Sequence, residues 1–237
     1  MMNLSHIHFF SHFTFRYSLF IRTFASAMKK IVIISAILLL CSGIGFTEEN
    51  EEVSFSADIP HGRGTVTMRF HFSHSKSACA VGDEEYNKTC IPADLDGELI
   101  IPDSIVFGGK NCPIKWISRG SFQSCPNLTR VKLPSNLRTI SDLAFQGCTS
   151  LREITFPDSI NCIYPRAFIG CTALRRVRFL SATPPKSYDN DTFDDVTYAT
   201  ATLVVPVETA EHYLSNPLTY RFRYHAETLP LYRENEE

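Results

Sequence analysis

The sequence predicts a repeat solenoid, a short coil whose parallel strands stack rung on rung between a β-rich N-terminal cap and a C-terminal closing unit. Three observations carry this. Starting at Ile117, Ile140 and Ile163, the chain reads "ISRGSFQSCPNLTRVKLPSNLRT", "ISDLAFQGCTSLREITFPDSINC" and "IYPRAFIGCTALRRVRFLSATPP", three units of 23 residues in register. Within each unit the same columns are apolar: Phe122, Phe145 and Phe168; Cys125, Cys148 and Cys171; Leu128, Leu151 and Leu174. One such unit cannot bury its apolar side alone, whereas stacked units can, so a fixed period of this length signals stacking.

The elements follow in chain order. Residues 1–27, "MMNLSHIHFFSHFTFRYSLFIRTFASA", show no clear periodicity and read as an over-extended start or a long n-region. "MKKIVIISAILLLCSGIG" follows, with Lys29 and Lys30 before the apolar run Ile31–Leu40 and small residues after it. This is the pattern of a signal peptide, taken as 28–47. The run is short for a membrane span, which leaves an uncleaved anchor as the alternative. Cys41 invites a lipid anchor, but Leu40 before it is not the small residue such a site needs.

Residues 48–95 read as the β-rich cap. In "GTVTMRFHF", 64–72, Val66, Met68, Phe70 and Phe72 alternate with polar residues, the mark of a half-buried strand. "VSFSA" and "SACAVG" are shorter strands on either side, with "DIPHGRG" and "SHSK" as turns. The repeats occupy 96–208. "LIIPDSI" begins them as a half unit, and "VFGGKNCPIKW" inserts a glycine-turned hairpin before register resumes. In "LREITF", Ile154 and Phe156 point inward along a short strand, and Pro157 ends it because proline cannot donate to a ladder. "SINCI" returns with Ile160 and Ile163 inward, and the Phe–Gly–Cys stretch is a single helical or 3₁₀ turn that buries its Phe. After Phe179 a degenerate unit follows, with Phe193 in the phenylalanine column and "TLVVPVE" as its strand. Residues 209–237 are the closing segment, a short helix and an aromatic-rich end.

The repeated cysteine sits beside Gly147 and Gly170 where the chain turns tightly. A small side chain that tolerates apolar company suits that place, so reduced, buried thiols are expected. Strand spacing brings equivalent sulfurs near enough for a disulfide, but three in a row cannot all pair. Pairing among Cys79, Cys90, Cys112 and Cys162 is left open.

The pattern "I….AF.GCTSL..I.FP.SI" resembles the BspA-like leucine-rich repeats of Bacteroidales, the 23-residue or treponemal type. The resemblance covers 95–215 and includes "LDGELIIPDSI" as a first half repeat and "SATPPKSYDNDTFDDV…TLVVPVETAEHYL" as a closing unit. Ser124 in place of the repeat glycine, and "LSATPP" where a proline is due, depart from it. The resemblance implies a short right-handed leucine-rich-repeat coil. It further implies an exported, non-catalytic binding module in the outer envelope or at the surface of a Gram-negative bacterium. The alternative is a structural or accessory envelope protein without a host ligand. The family has no fixed binding residue to carry over.

The residues themselves say little of catalysis, and no cofactor or metal is expected. His71 and His74 lack a shared face and a carboxylate cluster. Asp189, Asp191, Asp194 and Asp195 fit no EF-hand spacing and read as a solvated loop. Nucleophile-elbow, zinc-protease and phosphate-loop motifs are missing. Asn87 and Asn127 begin glycosylation sequons, irrelevant in a bacterial chain. Of the 23 Lys and Arg, four (Arg16, Arg22, Lys29, Lys30) precede residue 46, leaving 19 against all 25 acids, a body charge of −6. That balance argues against nucleic acid as partner.

Against this acidic body stands one basic face. Alternation sends Thr129, Arg130, Lys132, Arg152, Glu153, Thr155, Arg175, Arg176 and Arg178 outward, six bases to one acid. Arg130, Lys132, Arg152, Arg175, Arg176 and Arg178 are therefore the candidate partner-binding face, suited to an acidic protein or glycan. The competing reading is a solvated face chosen for solubility. A monomer without a membrane span in its mature form is expected.

Overall fold

The computed structural model describes residues 53–62, 64–83, 88–188 and 191–228. The start, the signal segment and the last nine residues of the closing segment lie outside them. The fold is built on two sheets that share one core, and on a backbone ladder between turns.

The first sheet begins with β1 (Val53–His61), β2 (Gly64–Ser73) and β3 (Ala78–Val81), joined antiparallel. Val66, Met68 and Phe70 are buried, and Phe72 is partly so. The sequence expectation ends β1 at Ala57 and turns through "DIPHGRG". Instead β1 runs on, pairing Pro60 with Thr65 and His61 with Gly64. Proline is tolerated there because β1 is an edge strand, with a side that needs no donor.

From β3 the sheet changes character. β6 (Lys110–Ile117), β8 (Thr139–Ile140) and β10 (Cys162–Ile163) follow in parallel, one from each repeat. β5 (Ser104–Phe107) forms a hairpin with β6 through Gly108 and Gly109, both in the left-handed region. That hairpin places Phe107 against Phe55 (4.7 Å) and Phe72 (4.8 Å).

The second sheet is parallel throughout. β4 (Gly97–Ile100), β7 (Leu128–Lys132), β9 (Glu153–Phe156), β11 (Arg176–Phe179), β12 (Thr202–Pro206) and β13 (Tyr224–Thr228) lie side by side in that order. Six strands at about 4.8 Å make a face roughly 24 Å long. β13 is a correction: its stretch reads in the sequence as the end of an aromatic-rich closing segment, yet its backbone pairs with β12 over five positions. The helix α1 (Asp195–Thr200) also goes unread in the sequence; it precedes β12, and α2 (Ala210–Leu214) follows it. The Asp194 carboxylate accepts from the Thr197 N–H (2.7 Å) and caps α1.

Inward residues of the second sheet form rows. Leu99, Val131, Ile154, Val177 and Leu203 make one, and all are buried. Behind them the Phe turns stack through backbone bonds, Phe122 N–H to Ala144 O and Phe145 N–H to Ala167 O, each 2.8 Å. The rings follow: Phe122, Phe145, Phe168 and Phe193 stack at 4.8, 5.0 and 5.3 Å between centroids. Cys125, Cys148, Cys171, Leu128, Leu151 and Leu174 are all fully buried around this column. Among the described residues Cys79, Cys90, Cys112, Cys125, Cys148, Cys162 and Cys171 carry free thiols.

Candidate binding face

The outer side of the second sheet is read strand by strand. Backbone pairing sets Glu98, Arg130, Glu153, Arg176, Thr202 and Tyr224 in one row across all six strands. Registered partners in a parallel sheet project on the same side. Thr155, Arg178 and Val204 make the neighbouring row. Arg152 and Arg175 stand just before β9 and β11, where the Arg175 N–H bonds to Arg152 O (2.8 Å).

The structure thus brings Arg152, Arg175, Arg176 and Arg178 together around a shallow basin of about 660 Å³, which Glu153, Ala173, Thr202 and Val204 also line. Arg175 is oriented by its own turn, its guanidinium donating to Thr172 O (2.9 Å) and Leu174 O (3.0 Å). Arg178 is only partly exposed, and its Nε is shielded from solvent without a hydrogen-bond partner among the described residues. A buried guanidinium N–H left unmatched is costly, so the position favours an acceptor.

The rest of the face is not what the residue count implies. Arg130 Nε lies 2.7 Å from Glu153 Oε1, and its Nη1 lies 3.8 Å from Glu98 Oε2. Arg176 Nη1 lies 3.6 Å from the other Glu153 oxygen. Glu98, missed in the sequence because the hairpin insertion hides its register, joins Glu153 in neutralising two of the six bases. Surface pairs of this kind add about 0–1 kcal/mol each, so their main effect is on charge. The unpaired positive charge is left on Arg152 before β9, on Arg175 and Arg178 at β11, and on Lys132, exposed on β7.

Three further residues of the face escape the sequence reading. Thr202, Val204 and Tyr224 belong to strands outside the 23-residue register: Val177 pairs with Leu203, 26 residues on. "TLVVPVE" is a legible strand, but its phase against the arginines is not.

Elsewhere polar groups serve the fold. Arg119 and Arg166 both reach Asp142 (3.3 and 3.7 Å), and Arg166 reaches Asp191 (3.9 Å). Asp194 also accepts from the Gly170 N–H (3.0 Å), and Asp195 pairs with Arg221. Each described carboxylate of the acidic stretch thus has a partner, while Asp195 stays largely exposed to solvent. His71 lies 3.3 Å from Ser54 Oγ, and the His74 ring meets Phe72 edge-on. No group of three or more metal-ligating side chains occurs among the described residues, and among them no helix is long and apolar enough to cross a membrane.

Comparison with known proteins places the repeats. Residues 114–209 match the BspA type Leucine rich repeat region in six copies. No curated protein matches the chain. Among solved structures, a leucine-rich repeat protein from Bacteroides ovatus is 22% identical with a TM-score of 0.44, over 59% of this chain and 36% of that one. The T. pallidum leucine-rich repeat protein is 21% identical with a TM-score of 0.47, over 69% and 79%. A leucine-rich cell surface protein from Faecalibacterium prausnitzii is 18% identical with a TM-score of 0.44, over 73% and 43%. The chain spans little more than a third of the first of these and less than half of the last.

Proposed function

Residues 114–209 are a BspA-type leucine rich repeat region, and on that premise we propose that this chain is an exported, non-catalytic module that binds an acidic partner through the outer face of its parallel sheet. In this reading 28–47 direct export, β1–β3 cover one end of a repeat solenoid, the segment after β12 closes the other, and the module works at the cell surface as a monomer. The observation that supports it is the arginine-walled basin. Four arginines, with Glu153 as the one acid among them, line one hollow of a body that otherwise carries net negative charge. Guanidiniums are donors only and fork onto carboxylates and sulfates, so the hollow selects acceptor-rich anions.

Attraction of this kind speeds association and weakens with salt, because screening acts over about 8 Å at physiological ionic strength. The test uses two immobilised polyanions, dextran sulfate and poly-glutamate. The chain should be retained at low salt and released as salt rises. With Arg152, Arg175, Arg176 and Arg178 all changed to Ser it should fold as before but pass through. Retention of that variant equal to the parent's would return the arginines to ordinary solvated charge. The accessory-protein reading would then gain, and it has support in the Glu98–Arg130–Glu153–Arg176 row, which satisfies itself.

A further inference from the structure

We propose that the ligand of the basin is an anionic polysaccharide, held by its charged groups on Arg152, Arg175 and Arg178 and by a sugar ring on Tyr224. The inference rests on the reading of the strand face as a binding surface and names the class of partner. Three features of the face favour a glycan over an acidic peptide.

The first is what the face lacks. The backbones of β9, β11 and β12 bond to their neighbours on both sides within the sheet. A peptide crossing this face would find no main-chain donors or acceptors to match its own, and peptide recognition on sheets draws its affinity from such bonds at an edge. A polysaccharide has no amide ladder to satisfy.

The second is Tyr224. It is 58% exposed and lies in the same row as Arg176 and Thr202. Two strand spacings separate it from β11, about 10 Å. An exposed aromatic ring offers an apolar surface and a polar hydroxyl together, which suits the C–H face and the hydroxyls of a sugar. Thr202 lies between, with a hydroxyl that can both give and accept a hydrogen bond.

The third is the chemistry of the donors. Glu153 already engages Arg130 and Arg176. Arg152, Arg175 and Arg178 have no ion pair among the described residues, although one Arg175 nitrogen already donates to the carbonyls of Thr172 and Leu174. More than one anionic group is needed to match three such guanidiniums, and an open hollow admits an extended chain rather than enclosing a small molecule.

The experiment measures affinity of the full chain, at one low ionic strength, for dextran sulfate fragments, poly-glutamate of matched charge and neutral dextran. Dextran sulfate should bind about tenfold or more tighter than poly-glutamate, and neutral dextran should not bind measurably. Tyr224→Ala should weaken dextran sulfate by about threefold or more and leave poly-glutamate unchanged, while Tyr224→Phe keeps most of the affinity. If poly-glutamate binds as tightly as dextran sulfate, or Tyr224→Ala shifts both or neither, the glycan assignment is overturned while the acidic-partner face stands. If the parent binds none of the charged probes, both fall.

Discussion

The thiol of Cys148 donates to the carbonyl oxygen of Phe122, 3.1 Å away and one repeat earlier. Cys171 does the same to Phe145 O at 3.2 Å. Cys125, whose own repeat is the first, turns to Gln123 O at 3.9 Å instead. The repeated cysteine is therefore a small buried side chain with one weak donor, aimed at the carbonyl beside the phenylalanine below it. Cys148→Ala removes the donor and leaves a small void. It should cost about 1–2 kcal/mol, read as a lower denaturation midpoint with an unchanged slope.

These thiols are held protonated. Burial pushes Cys125 up to about 11 and Cys148 up to about 12, and holds Cys171 well above the ordinary thiol value. In the unfolded chain a thiol ionises near 8.5. A raised folded value means the stabilisation is whole below the unfolded pKa and is lost as pH climbs toward the folded one. Stability should thus be level from pH 6 to about 8 and fall above about 9. In the native state at pH 8, Cys125, Cys148 and Cys171 should resist alkylation for as long as the fold persists. Rapid labelling of all three without unfolding would contradict their burial.

Phe145 stacks between Phe122 and Phe168, the middle of the ring column. Phe145→Ala should cost about 3–5 kcal/mol, comparable with the whole stability of a small domain. Thermal melting would show it as a large fall or as failure to fold.

Ser124 occupies the repeat position of Gly147 and Gly170, and all three have positive φ: 56°, 74° and 79°. A serine in the left-handed region is strained where glycine is not. Ser124→Gly should stabilise the chain by about 0.5–1 kcal/mol. Gly170→Ala should do the reverse, since its new Cβ would lie 3.2 Å from the Gly147 nitrogen.

Glu153 bridges Arg130 and Arg176 across three strands. Glu153→Gln should change melting little, because half-exposed pairs add about 0–1 kcal/mol. Polyanion affinity should rise, with a steeper dependence on salt. An unchanged affinity would place the binding charge away from this row.

Periodicity made the core legible. Phe, Cys and Leu recur every 23 residues because each rung must offer the next an equal apolar surface, so identity and direction repeat together. The Gly108–Gly109 hairpin and the strand at 202–206 were readable for similar local reasons. The fold decided the rest through contacts between rungs. Pro60 stays in a strand because β1 lies at an edge, and β13 is a strand because β12 presents an open one. Outward direction of Arg130, Arg176 and Arg178 follows from alternation within each strand, while Arg152 and Arg175 lie in the turns just before theirs. Which of them keeps its charge depends on register between strands: Glu98 reaches Arg130 across a 32-residue step, and Tyr224 joins the face across a 22-residue one. Those steps break the period, so only the paired backbone places an acid, a threonine and a tyrosine beside the basin.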